Sequence, residues 1–456
     1  MLITIDDNGL FRMKSDEIMT PDLLSEIIQT NKSITTERYS ELGDAYKNKY
    51  KIFTLPAKPY YKPDNRIAVN FAKYIVDVFN GFFIGNPIKV ETLDDTVKAY
   101  VETLEAYNIQ DDLNSELSKT SSIYGKAYEL YYVDDSANIC VAVSSPTNSV
   151  MVYDDGIVPK PKYFVRYYKG ADNIERGSFS DSTSVYYFEN NGALKIDWEG
   201  GRTHGFQYVP ANEMCDNDER QGIFESEMPM IDAYNKALSE KANDVDAFAD
   251  AYLKVLGPRL EEEETRTIRQ DRIINIETDN LSGVDVDFMQ KPSADTTQEN
   301  LINRLERLIF NISMVANISD ENFATSSGIA LRYKLKAMSD LANTKKRKFE
   351  KLLNNRYKVI FSNPISGMSP DSWVTLRYIF NFNYPANLAE EVDIAAKMQG
   401  ITSKRTSLSV ISAIDNVDDE LAQIDEENDE TEYNTDYAVN RTVDDELLGT
   451  ADRTTE

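Results

Sequence analysis

Catalysis and metal binding need particular side chains at particular spacings, and this 456-residue sequence offers few of them. It has one histidine, His204, and two cysteines, Cys140 and Cys215. A His/Cys metal cluster and a histidine-based triad therefore lack their parts. Two cysteines cannot build a disulfide framework, so both are read as reduced, buried thiols. Asp285 and Asp287 in "GVDVDF" could pair as metal-binding carboxylates, but Val284, Val286 and Phe288 alternate with them. A strand with that apolar face places its aspartates on the wet side. Glu261 to Glu264 read as a solvated helix start, with Glu262 able to pair Arg266 at i,i+4. His204, in "GRTHGF", reads as a turn residue. Neither G-x-x-x-x-G-K-[ST] nor G-x-G-x-x-G occurs, and "YGKAY" at Gly125-Lys126 lacks the upstream glycine that a phosphate cradle needs. The densest basic run, "KKRKFEKLLNNRYK" from Lys345, is either a solvated helix face or a contact for phosphate or an acidic neighbour. No cofactor and no metal are expected, and the chain does not read as an enzyme.

Charge narrows the classes further. The formal net charge is −28, and Asp415 to Glu456 holds 16 acids and two bases, so that stretch carries −14 and the remainder another −14. Such a surface does not grip nucleic acid broadly, because phosphate neutralisation needs Lys and Arg. It does not exclude a protein that lets DNA pass. Hydrophobic residues make up 41% of the chain, enough for sizeable cores in two to four structural units. The most apolar stretch, from Ile67, contains Lys73 and Asp77, so no membrane span is expected. The N-terminus lacks the basic start and cleavage pattern of a signal peptide.

The elements that would position any site follow from periodicity. Thr20 before Pro21 is an N-cap with proline at the first helical position, opening a helix through Leu23, Leu24, Ile27 and Ile28. Ile67, Phe71, Ile75, Val78 and Phe79 predict a helix over Asn65 to Ile84, and another is expected near Asp94 to Tyr107. Six Tyr/Val-rich runs then follow, from "AYELYYVDD" to "ALKIDWEG", separated by Asp, Asn and Gly turns; they predict an antiparallel sheet or small barrel. From Pro229, Ile231, Tyr234, Leu238, Ala242, Val245, Phe248 and Tyr252 form one face of a helix roughly 36 Å long at about 1.5 Å per residue. Residues 252–294 read as a compact insert of three strands and a short helix. A second long helix carries Leu301, Leu305, Leu308, Ile312 and Val315, and a third runs from about Gly328 to Ser362. "WVTLRYIFNFN" reads as a strand, and Leu388 to Asp425 as a helical end. The tail after Ile424 lacks an apolar period and reads as disordered.

Between the second and third long helices lies "NISDENFATSSGIALRYKLKAM" (Asn317 to Met338), a polar loop without chemistry. The flanking apolar stripes ask for more cover than a single chain need supply. A ring of copies would provide it and leave polar faces around a hole; a monomeric bundle is the rival.

The order of elements resembles phage portal proteins of the siphophage (SPP1-like) type. The resembling stretches are "NRIAVNFAKYIVDVFNGFFIGNPI", "SSIYGKAYELYYVD", "SGIALRYKLKAM" and "NLAEEVDIAAKMQGITSKRTSLSVI", and the likeness spans all but about the last twenty residues. It implies an α+β portal fold with long stem helices, a β-rich wing, a small α/β clip and a helical crown, assembled as a dodecameric ring. By position, 1–228 would be wing, 229–251 and 295–318 stem, 252–294 clip, and 319–327 a tunnel loop. Residues 328–386 would be a long kinked helix with the rest of the wing, 387–430 crown, and 431–456 the acidic tail. The tunnel loop would touch passing double-stranded DNA with Asp320, Glu321, Asn322, Phe323, Ala324, Thr325 and Ser326, and Glu299, Asn303 and Glu306 would face the channel from the stem. Acids there repel phosphate and prevent stalling, since about 6–10 phosphate contacts change affinity by roughly 10³–10⁵ over a modest salt range. Arg266, Arg269 and Arg272 on the clip would dock partners, unless they form ion pairs between or within subunits. The implied partners are the large terminase subunit, head-completion adaptors, and the major capsid and scaffolding proteins. The implied location is the portal vertex of the virion, with assembly in the host cytoplasm. Two rival classes are a nucleic-acid-processing enzyme and a capsid scaffold protein without a channel.

Overall fold

The structure is a computed structural model that describes residues 3–59, 62–249, 253–256, 285–288, 295–318, 331, 333–384, 388–411, 413–414, 417 and 419–428. The chain divides into two compact units, one of residues 1–318 with 335–383, the other of 319–334 with 384–456.

In the first unit, strands β1 (Ile3–Ile5) and β2 (Phe11–Met13) form a hairpin. Helix α1 (Pro21–Ile34) begins where the sequence places it: the Thr20 hydroxyl accepts from Leu23 N–H at 3.2 Å. It continues through a π-helical turn (Thr35–Tyr39) into α2 (Ser40–Tyr46). Helix α3 spans Phe71–Ile84. Strand β3 (Lys89–Glu91) precedes α4 (Asp95–Asn108), which Asp94 caps, and α5 (Gln110–Tyr124) follows directly.

The β-rich block holds β4 (Lys126–Val133), β5 (Ile139–Ser144), β6 (Ser149–Asp154), β7 (Pro161–Lys169), β8 (Glu175–Ser180), β9 (Ser184–Asn190), β10 (Leu194–Thr203) and β11 (Ala211–Cys215). It is neither a barrel nor one antiparallel sheet. Seven strands make an open sheet in the order β1-β2-β6-β7-β8-β9-β10, in which β2 runs parallel to β6; a second sheet has the order β11-β4-β5. Period-two alternation sets the packing. Val150, Val152, Val165, Phe179 and Phe188 point to one face, where Leu23, Leu24, Ile27 and Ile28 of α1 cover them. Gly125 turns α5 into β4 at φ +81°, and a Cβ there would lie 1.9 Å from the Arg220 carbonyl oxygen, so only glycine fits.

Helix α6 (Met228–Ala249) precedes in sequence, and α7 (Asp295–Ser313) follows, the strands β12 (Leu253–Leu256) and β13 (Asp285–Phe288), which pair antiparallel with Val255 opposite Val286. The expected strand "RIINIE" and helix "EEEETRTIRQ" lie outside the described residues. Helix α8 (Lys336–Phe361) packs Tyr357, Val359, Ile360 and Phe361 into a core with Val97, Val101 and Leu104 of α4 and Tyr131 of β4. The expected long strand after it shrinks to β14 (Arg377–Ile379), preceded by a 3-10 turn over Ser372–Thr375.

Helix α8 corrects the reading of the basic run as a solvated face at two positions, whereas Arg347 and Lys351 are exposed as that reading expects. Lys345 is buried, bonding Asp216 Oδ1 at 2.9 Å, Ser122 Oγ at 2.6 Å and Ser118 O at 2.9 Å, above the rings of Phe79 and Phe83. Arg356 is buried against Glu129 at 2.7 Å and also donates to Asn114. The acidic neighbours are therefore intrachain. Burial pulls the Lys345 amine below its ordinary pKa, with Asp216 opposing. Burial acts the same way on Arg356, but the adjoining Glu129 carboxylate outweighs it and holds the guanidinium charged.

In the second unit, α9 (Leu388–Met398) turns through Gly400 (φ +80°) towards α10 (Lys404–Leu408), whose Ser403 cap accepts from Thr406 N–H.

Candidate functional site

The part of the molecule with the best claim to a function is the antiparallel pair α6–α7 and the chain that leaves it. Gln298 donates to Asp244 at 2.9 Å, and Glu299 pairs with Lys241. At the other end Phe71 of α3 meets Tyr234 of α6 edge-on and Phe310 of α7 likewise, so α3 clamps both helices.

The sequence mistook how this clamp is built. Residues 65–70 are not the first turns of α3, because α6 captures their backbone. Asn243, Ser239 and Asn235 lie four residues apart on α6. Their side-chain oxygens accept from the N–H groups of Asn65 (2.6 Å), Ile67 (2.9 Å) and Val69 (2.8 Å). Four helical residues rise about 6.0 Å, close to the about 6.6 Å that two residues span in a strand. The Ser239 hydroxyl also donates to the Ile67 carbonyl at 3.0 Å. The signal for this ladder was present in the sequence as three small polar residues at i, i+4, i+8 on a face the apolar pattern leaves aside.

Helix α7 has two apolar sides. Ile302 and Ile309 are buried, whereas Leu301 and Ile312 are 50% and 51% exposed, a quarter turn away, with Leu305 and Leu308 half-buried between them. The stripe expected from Leu301 to Ile312 is thus the outward one, although Val315, its expected last member, is buried. On α6, Ile231 and Tyr234 are buried as expected, but Val245 is exposed.

After Ser313 the chain reverses through Met314, a non-glycine residue at φ +59°. Val315 is then buried, and Ile318 N–H donates to the Tyr74 hydroxyl at 2.9 Å; Tyr74 also meets Phe310 edge-on. Tyr74 thereby fixes the last residue before the expected tunnel loop, a role no sequence pattern marked.

Asp320, Glu321, Asn322, Phe323, Ala324, Thr325 and Ser326 lie outside the described residues, as do Arg266, Arg269 and Arg272. Of the expected stem residues, Asn303 is exposed, Glu299 pairs with Lys241, and Glu306 accepts from Asn317 at 3.5 Å. Burial, then the carboxylates of Glu306 and Glu299, push the Tyr234 phenol up. His204 follows β10, its Nδ1 accepting from Phe206 N–H at 3.2 Å, and Cys140 and Cys215 are free thiols, the first buried and the second partly so. Among the described residues, no group of three or more His, Cys, Asp and Glu is placed to hold a metal, and no helix is long and apolar enough to cross a membrane.

A β-rich block followed by two long paired helices, with a two-stranded antiparallel pair between them in sequence, is the order of elements that the resemblance to portal proteins implies. The sequence matches the family described as phage portal protein, SPP1 Gp6-like, over residues 25–433. The chain belongs to that family. It is 25% identical over 403 residues to the portal protein of Bacillus phage SPP1, covering 80% of this chain and 76% of that protein. It is 21% identical over 416 residues to the portal protein of Clostridium phage phiCD119, covering 84% and 89%. Among solved structures, a chain from the neck of an empty GTA particle aligns with a TM-score of 0.45 at 12% identity, covering 75% of this chain and 89% of that one.

Proposed function

We propose that this chain assembles as a ring at one capsid vertex and forms the channel through which double-stranded DNA is packaged and ejected. The observation that carries the ring is the double apolar character of α7. Its inner side is satisfied by its own chain and its outer stripe, Leu301 to Ile312, is not. A neighbouring copy placed against that stripe buries it and leaves polar positions such as Asn303 for the bore. Membership of the portal family supplies the functional context.

Within that reading, α6 and α7 are stem, 252–294 clip, and 387–430 crown. The segment from Ser319 touches the duplex, with Asp320 and Glu321 keeping the contact loose. The clip arginines Arg266, Arg269 and Arg272 receive the large terminase subunit and later the head-completion adaptors. A dodecamer is the stoichiometry proposed, and the role is structural, not enzymatic.

Negative-stain electron microscopy of the purified full chain tests this directly. Rings with a central hole are expected; a monodisperse monomer at high concentration would overturn the proposal. ATP or DNA hydrolysis abolished by one carboxylate substitution would favour an enzyme instead.

A further inference from the structure

The seven-stranded sheet is covered by α1 on one face and only partly covered on the other. On that second face Met151 and Phe164 pack beneath Tyr128, Val209 and Ala211. Over β7 to β10 the face is a concavity of about 840 Å³. Strand register builds it: Arg166, Ser178, Tyr187 and Asp197 form one cross-strand row, and Tyr168, Arg176, Glu189 and Lys195 the next. Tyr168 and Tyr187 are 50% and 47% exposed. Arg176 is held by Asp172 at 2.8 Å and faces Glu189. Among the described residues Arg166 and Lys195 have no such partner, so two aromatic rings stand beside two unspent cations.

At the opposite ends of the same strands, the β6–β7 turn is tied to the loop after β2. Lys162 donates to the carbonyls of Lys14 and Ser15, both at 2.9 Å, and the Ser15 hydroxyl donates to Asp155 Oδ1 at 2.7 Å. This braced pair holds Ile18, Ile157 and Val158 out into solvent. Asp16, Glu17 and Asp155 lie beside them, with Lys14 and Lys160 at the flanks. From Pro161 to Tyr168 a strand covers about 23 Å, so projection and concavity cannot meet within one chain.

We propose that the loop pair of one copy seats in the sheet concavity of the next, with Ile157 and Val158 against Tyr168 and Tyr187 and the loop acids beside Arg166 and Lys195. The two surfaces differ, so the contact is head-to-tail, the kind that closes a ring when the rotation permits. The proposal rests on the ring reading and adds to it a wing contact independent of the stem.

The test uses full-length Val158→Cys and Tyr168→Cys chains, both altered at exposed positions. The variants are mixed, treated with a short bis-maleimide, and imaged in parallel; the wild type reports background from Cys140 and Cys215. A cross-linked dimer that needs both variants is the expected result, together with loss of reactivity of the position-168 thiol toward a monofunctional maleimide on assembly. Rings that form without the adduct would overturn this contact and leave the ring reading standing. Rings in which the position-168 thiol stays fully reactive would overturn it too, and would leave the concavity to another occupant such as an acidic peptide. No rings from the wild type would sink the ring reading itself, and this contact with it.

Discussion

Glu129 and Arg356 are each about 1% exposed and bonded to one another, so neither can lose its partner cheaply. Breaking a buried pair by removing one partner costs about 3–5 kcal/mol, whereas replacing both with apolar groups is often near neutral. Arg356→Met should therefore lower the urea midpoint strongly, and adding Glu129→Leu should recover much of the loss; equal or additive losses would mean the pair is not isolated from solvent. His204 gives a pH-dependent expectation. Its Nδ1 accepts from Phe206 N–H at 3.2 Å and its Nε2 lies 3.1 Å from the Asp181 carbonyl, so the neutral ring is the one that fits. Burial pulls its pKa down, with the Asp181 carbonyl opposing. The unfolded chain takes up this proton first, near pH 6.5, so stability present at neutral pH is lost as pH falls from there through the lower folded value. Denaturant midpoints of wild type and His204→Asn, compared between pH 7.5 and 5.5, should show a shallower fall in the variant. At this scale the sequence told which residues were charged but not which were buried. Lys345 and Arg356 find Asp216 and Glu129 more than a hundred positions away, and no local pattern encodes such a meeting.

Elements whose stability is local were legible, and those fixed by distant partners were not. The Thr20–Pro21 start of α1 and the long strands of the β-rich block were readable because capping and alternation are short-range signals. Strand β8, "ERGSFS", was missed because Gly177 and two serines dilute its β character, and the flanking strands of the sheet hold it in place. Residues 65–70 were read as helix because Ile67 and Phe71 are four apart, yet the α6 ladder outcompetes that helical turn. Ser239→Ala should remove both bonds to the Ile67 backbone and leave the Ile67 N–H without its acceptor, at a cost of about 1–3 kcal/mol. Hydrogen exchange should then quicken at Ile67 and Val69 before it does in the centre of α6. Unchanged exchange there would mean the segment is held by packing alone. The same method applied to Tyr74→Phe should expose the Ile318 amide while leaving the edge-on contact with Phe310 in place.

At the scale of the whole molecule, the proposed ring sets two forces against each other. The outward stripe of α7 would draw copies together, and a net charge of −28 per chain would drive them apart. Completing the burial of Leu301 and Ile312 is worth about 1 kcal/mol each, given about 1.5–3 kcal/mol for burying such a side chain outright. Repulsion between copies reaches about 30 Å at 0.01 M salt and only about 8 Å at 0.15 M. Ring formation should therefore strengthen as salt rises, the reverse of what counterion release produces when a basic surface binds nucleic acid. Replacing both side chains by uncharged glutamine, Leu301→Gln with Ile312→Gln, leaves the net charge untouched. It should weaken each interface by about 2 kcal/mol, roughly 30-fold in its association constant. Analytical ultracentrifugation across a salt series separates the two forces: wild type and variant should show parallel salt dependence, displaced in concentration. If the variant assembled as readily as wild type at every ionic strength, the α7 stripe would not be the surface that neighbouring copies share, and the cover for those side chains would have to come from another protein.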